Sequence, residues 1–104
     1  MNDPLARYQE FAESQPELSE AQFRTALAKA RRNETAAKRM IQMACLRYVP
    51  GWLREELADM PPNWRERIEA GNKAVWELIG TFKGSTRAEF LAAAAAAVQS
   101  RGQS

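Results

Sequence analysis

Apolar residues return every three or four positions along most of the chain, and no stretch alternates apolar with polar in the two-residue rhythm of a half-buried strand. Leu5, Tyr8, Phe11 and Ala12 fall on one face of a first helix, with Asp3 as N-cap, Pro4 at the first helical position and Pro16 beyond the end. Ser19-Glu-Ala-Gln22 has capping-box spacing and opens a second helix, whose stripe is Phe23, Ala26, Leu27 and Ala30. Arg31-Arg32-Asn33 ends that helix, and Asn33 or Thr35 caps a third, carrying Ala37, Met40, Ile41, Ala44, Cys45 and Tyr48. The phase equally allows one long bent helix from Ser19 to Tyr48. Pro50-Gly51 reads as a stop.

A short helix over Trp52–Met60 follows, broken by Pro61-Pro62, and Asn63 is the expected N-cap for Trp64 onward. Trp64, Ile68, Val75, Trp76 and Ile79 form the next stripe despite Gly71, and Gly80 to Gly84 reads as a loop. Thr86-Arg-Ala-Glu89 is a second capping box, opening a helix that should end near Gly102 with Phe90, Leu91, Ala94 and Val98 on one face. The alanines around that face favour helix and leave it thin enough to pack closely, within the chain or against a copy, so a homodimer through the C-terminal helix is one expected assembly. The expected fold is all-α: a single domain over residues 1–104, a compact bundle of about five short helices. Its expected core comprises Leu5, Phe23, Leu27, Ile41, Ala44, Leu57, Ile68, Val75, Trp76 and Phe90.

Composition narrows the chemistry. The chain is 45% hydrophobic and 27% charged, ordinary values for a globular domain of 104 residues with a small core. No apolar run approaches the ~20 residues of a membrane span. MNDPLARYQEF lacks a basic region followed by an apolar core, so no secretory signal is expected and the cytoplasm is the expected compartment. There is no histidine, which removes histidine-based triads and His-ligated zinc, and the one cysteine cannot form an internal disulfide. Cys45 lies among apolar neighbours in MIQMACLRYV and reads as a buried thiol. No cofactor is implied.

The net charge of +2 hides a polarity. Met1–Phe23 carries Arg7 against Asp3, Glu10, Glu13, Glu17 and Glu20, a balance of −4. Arg24–Arg47 carries Arg24, Lys29, Arg31, Arg32, Lys38, Arg39 and Arg47 against Glu34, a balance of +6. Such a block suits a phosphate backbone or an acidic protein surface, and otherwise is a solvated helix face.

LREELADMPPNWRERIEAGNKAVWEL (Leu53–Leu78) sets two helical patterns about Pro61-Pro62-Asn63, so a helix-turn-helix is expected somewhere within residues 52–79. Ala58 supplies the small residue, Ile68 the inner apolar one, with Leu57 beneath, and Arg65, Arg67, Asn72 and Lys73 would reach phosphates or base edges. LSEAQFRTAL (Leu18–Leu27) resembles the opening of plasmid transcriptional repressors of the TrfB/KorA type, and Leu57-Ala58, Ile68 and Val75-Trp76 are spaced like their helix-turn-helix core. The resemblance covers Leu18 to Trp76, with about one extra helical turn near Arg32–Arg39. It implies a dimeric operator binder acting in transcriptional control. The chain departs from that family at Pro62-Asn63-Trp64, where the turn has glycine, an apolar residue and Ser or Thr. It departs again at Glu66, Glu69 and Ala70, where the recognition helix offers Ser or Gln, and after Phe82, where the family implies a strand and this sequence a helix.

The leading expectation is therefore a non-enzymatic DNA-binding transcriptional regulator, with double-stranded DNA met by Arg31, Arg32, Lys38, Arg39, Arg65, Arg67, Asn72 and Lys73. The competing one is a protein-binding helical module (adaptor, inhibitor or immunity protein of a phage or plasmid) that meets an acidic protein partner, with Trp52 as the partly exposed anchor. A third, metal-dependent hydrolysis by Glu55, Glu56, Asp59, Glu66 and Glu69, has carboxylates at helical spacing, but Arg54, Arg65 and Arg67 interleave and make surface ion pairs the simpler reading, so no metal site is expected.

Overall fold

The computed structural model describes residues 4–59 and 61–102. Among them are seven helices and no strand: α1 (Pro4–Glu13), α2 (Glu20–Arg31), α3 (Thr35–Cys45), α4 (Val49–Trp52), α5 (Arg54–Leu57), α6 (Trp64–Thr81) and α7 (Arg87–Gly102). None of the described helices is long and apolar enough to cross a membrane. The all-α expectation holds. Two short single-turn helices, α4 and α5, replace the one helix expected over Trp52–Met60, with Leu53 between them and Met60 outside the described residues.

Both capping boxes form. Gln22 N–H donates to Ser19 Oγ at 3.1 Å and Ser19 N–H to Gln22 Oε1 at 2.8 Å. Glu89 N–H donates to Thr86 Oγ1 at 3.2 Å and Thr86 N–H to Glu89 Oε1 at 3.1 Å. Each pair satisfies two backbone donors that a helix start otherwise leaves to solvent. The expected Asp3 cap of α1 lies outside the described residues, while Pro4 does open the helix.

The stretch 19–48 is two helices, and Asn33 is the reason. Its φ is 62°, in the left-handed region that asparagine tolerates better than most residues. There Asn33 N–H reaches Ala30 O at 2.9 Å and Glu34 N–H reaches Lys29 O at 3.2 Å, the paired bonds of a Schellman stop. Asn33 therefore ends α2 and does not cap α3, where the N-cap position is Glu34 and no side chain bonds. Pro50 does not stop a helix as its Pro-Gly context suggests. It sits in the first turn of α4, where its missing N–H is no loss. Asn63 stands before α6 but its side chain makes no cap, being engaged by Arg67. Helix α6 continues to Thr81, which shortens the loop expected from Gly80 to Gly84.

Helices α6 and α7 form the main packed pair, the α2–α3 hairpin lies against them, and α4 closes one end. Phe23, Leu27, Ile41, Leu57, Ile68, Val75 and Phe90 are all buried, with Val49, Leu53 and Ile79 beside them. Phe90 centres an aromatic group, 5.6 Å from Phe23 and 5.1 Å from Phe82 between ring centroids. Ala44 and Leu5 are buried as expected. Trp76 is not a core residue: it is 38% exposed. The inward line of α6 is Ile68, Gly71, Val75 and Ile79, and a residue one step past Val75 is turned about 100° away from it. Phe11 and Met40, placed on apolar stripes by spacing, are exposed too, at 53% and 48%. On α7, Phe90, Ala94 and Val98 turn inward, leaving Ala92 and Ala96 exposed.

Candidate nucleic-acid interface

The α2–α3 turn gathers cations. The guanidinium of Arg31 donates to the carbonyls of Lys83 and Gly84, which brings the α6–α7 loop, and with it Lys83, to the end of α2. Lys38 reaches back from α3 to Asn33 Oδ1 at 2.9 Å. Arg32 is exposed and pairs loosely with Glu34 at 3.6 Å, a surface contact of little net energy. Arg31, Arg32, Lys38 and Lys83 thus share one corner whose sole carboxylate from the 24–47 block is Glu34. Arg39, one step beyond Lys38, instead borders an apolar groove with Pro16, Leu18, Ala36 and Met43. Arg47 is taken out of the basic face altogether. It donates to Glu13 O at 2.9 Å and Gln15 O at 2.7 Å and lies 3.2 Å from Glu17.

At the second corner the expected DNA-reading side chains fare differently from one another. Arg67 is half-buried, bonded to Glu56 at 2.7 Å and to Asn63 Oδ1 at 3.1 Å. These contacts tie α6 to α5 across residues 58–63. They also occupy a carboxylate of the acidic cluster considered for metal, and among the described residues no group of three His, Cys, Asp or Glu could hold a metal ion. Asn72 does not extend the outer side of α6. Its amide donates to Tyr8 Oη at 3.2 Å and its backbone carbonyl accepts from Gln42 at 3.1 Å, fastening α1 and α3 to α6. Arg65 lies 5.1 Å over the ring of Trp64, an exposed cation–π contact that leaves its charge facing water. Lys73 is exposed. Of the four residues expected on a recognition helix, two brace the fold and two remain outward.

Trp52 is half-buried, stacked on Tyr48 at 5.7 Å and 18°. It borders a polar cleft with Arg54, Glu55, Glu56 and Gln99, so its partly exposed placement agrees with the sequence reading. Lys83 was missed because its contribution depends on a loop contact across 52 residues of chain, which no local pattern reveals. Compared with protein-family models, curated proteins and solved structures, the chain matches none.

Proposed function

We propose that the protein is a small DNA-binding regulator that grips the duplex by its phosphates at the α2–α3 corner, while the α5–α6 corner acts as an internal brace. The observation that carries the reading is the separation of charge. Arg31, Arg32, Lys38 and Lys83 converge at one end of the hairpin, whereas the acids of the first 23 residues lie elsewhere in sequence and two of them, Glu17 and Glu20, are paired with Arg47 and Arg87. Against these four cations Glu34 is only loosely paired with Arg32, at 3.6 Å, so a surplus of positive charge remains to neutralise phosphates and release counterions, which gives affinity without base discrimination. Arg65 and Lys73 supply weaker outlying contacts, since Glu66 and Glu69 flank them. The resemblance to plasmid repressors supplies transcriptional control as the role.

The test is fluorescence anisotropy with a labelled nonspecific duplex across a salt series. Four phosphate contacts give a slope of log K against log salt of roughly −3 to −4. Arg32→Glu with Lys38→Glu leaves the Arg31 loop bonds in place and should flatten that slope by about two while weakening every duplex alike. No binding at low salt, or binding that ignores the reversal, overturns the reading.

A further inference from the structure

Among the described residues four large hydrophobic side chains are exposed, and two of them, Met40 and Met43, lie on α3 beside the α1–α2 link. Met40 stands as a ridge between two shallow grooves. One, of about 430 Å³, runs between α3 and the α1–α2 link and is lined by Pro16, Leu18, Ala36 and Met43. The other, of about 250 Å³, lies between α3 and α2 and is lined by Ala21, Thr25, Ala26 and Ala37. A ridge flanked by two furrows, one floored by the small side chains Ala21, Ala26 and Ala37 and the other by Pro16, Leu18 and Ala36, is the relief that receives the side-chain rows of a helix. Methionine is suited to such a surface because its unbranched thioether adapts to different partners.

Charge decides the kind of partner. The cations on this face are Lys29, in the α2–α3 groove, and Arg39, in the other. The carboxylates on the neighbouring segment are already engaged: Glu17 lies 3.2 Å from Arg47, and Glu20 lies 3.6 Å from Arg87 and accepts its backbone N–H. Neither the Lys29 ammonium nor the Arg39 guanidinium has a hydrogen bond or ion pair among the described residues, so each groove presents an uncompensated positive head over an apolar floor. We infer that the Met40 face is a docking surface for an amphipathic helix of another protein, one whose apolar stripe is bordered by acidic residues. This surface is separate from the Arg31–Arg32–Lys38 corner, so a DNA-bound molecule could hold a protein partner at the same time, and either proposal stands if the other fails.

The experiment is selection of a displayed library of helical peptides of varied stripe and charge on the intact protein, with counter-selection on Met40→Glu. Met40 is exposed, so the variant should keep its melting temperature, and Met43→Ser serves as a second variant if it does not. Enriched peptides should be amphipathic and acidic. They should shift the methyl resonances of Met40 and Met43 and bind roughly tenfold more weakly to Lys29→Glu with Arg39→Glu. Enrichment of neutral or basic peptides, binding that survives Met40→Glu, or no enrichment at all would overturn the inference. So would a self-association seen by size-exclusion light scattering and abolished by Met40→Glu, which would assign the face to a second copy of this chain.

Discussion

Glu89 accepts three hydrogen bonds at the start of α7, from Thr86 Oγ1 at 2.9 Å, Thr86 N–H at 3.1 Å and Ser85 N–H at 3.3 Å. The Thr86 hydroxyl first, then the two backbone N–H groups, hold its carboxyl below the ordinary range. A depressed folded value means that the unfolded chain binds this proton more readily. The carboxylate's contribution is thus complete above the ordinary carboxylate pKa and is lost as pH falls through the folded value. Glu89→Gln keeps an acceptor of the same shape without the charge. The wild type should melt above that variant at about pH 7, and the gap should close as pH falls below the ordinary carboxylate range and through the depressed folded value; a gap that stays constant with pH would deny the charge any part. Cys45 shows how much single residues disclose in sequence: its apolar neighbours mark it as buried, and burial pushes its thiol up to about 12, so it stays protonated at neutral pH. Arg67 and Asn72 show the opposite. Their partners, Glu56 and Tyr8, lie 11 and 64 residues away, and nothing in the local pattern of α6 distinguishes a bracing side chain from one that faces a ligand.

Helix α6 carries two glycines of opposite meaning. A Cβ at Gly71 would stand 2.9 Å from Val49 Cγ1 and 3.2 Å from Val98 Cγ1, whereas one at Gly80 would meet nothing within 4 Å. Gly71 is what lets α4 and α7 approach α6 closely, and the obstructing valines are stiff at χ1 and cannot swing aside. Gly71→Ala should therefore cost about 1–3 kcal/mol by overpacking, more than the ~1 kcal/mol that alanine returns in helix propensity. Gly80→Ala should gain part of that ~1 kcal/mol, with no opposing clash. Urea denaturation of the two variants checks both, and a Gly71→Ala protein as stable as wild type would mean that the three helices are further apart than described. Helix existence was legible here because caps and 3.6-residue periodicity act locally; which edge of a stripe is buried was not. Trp76 and Val75 are adjacent apolar residues, and the tertiary packing on the Gly71 side of α6 turns Val75 inward and leaves Trp76 to water. Met40 shares the spacing-derived stripe of α3 with Ala37 and Ile41, yet those two are buried and Met40, at the flank of the stripe, is exposed.

At the scale of the whole molecule the helices are unequally held. Helices α2, α3, α6 and α7 share the continuous core, while α1 inserts only Leu5, Ala12 and part of Tyr8, whose ring meets Trp64 edge-on at 6.5 Å. Its C-terminal end depends on Arg47, whose guanidinium holds the carbonyls of Glu13 and Gln15 from the far end of α3. Carbonyls at a helix end need such partners, and bonds from a charged donor are the stronger kind. The ion pair with Glu17 adds little, because that carboxylate is 65% exposed. Helix α1 should consequently open on its own, ahead of global unfolding, as regions with few buried apolar contacts do. Arg47→Ala should widen the difference. Amide hydrogen exchange over residues 4–13 is expected to quicken by about tenfold or more, from two lost charge-assisted bonds, while the amides of α6 and α7 keep their wild-type protection. Uniform acceleration in every helix would instead make Arg47 a support of the whole core, and α1 an inseparable part of it.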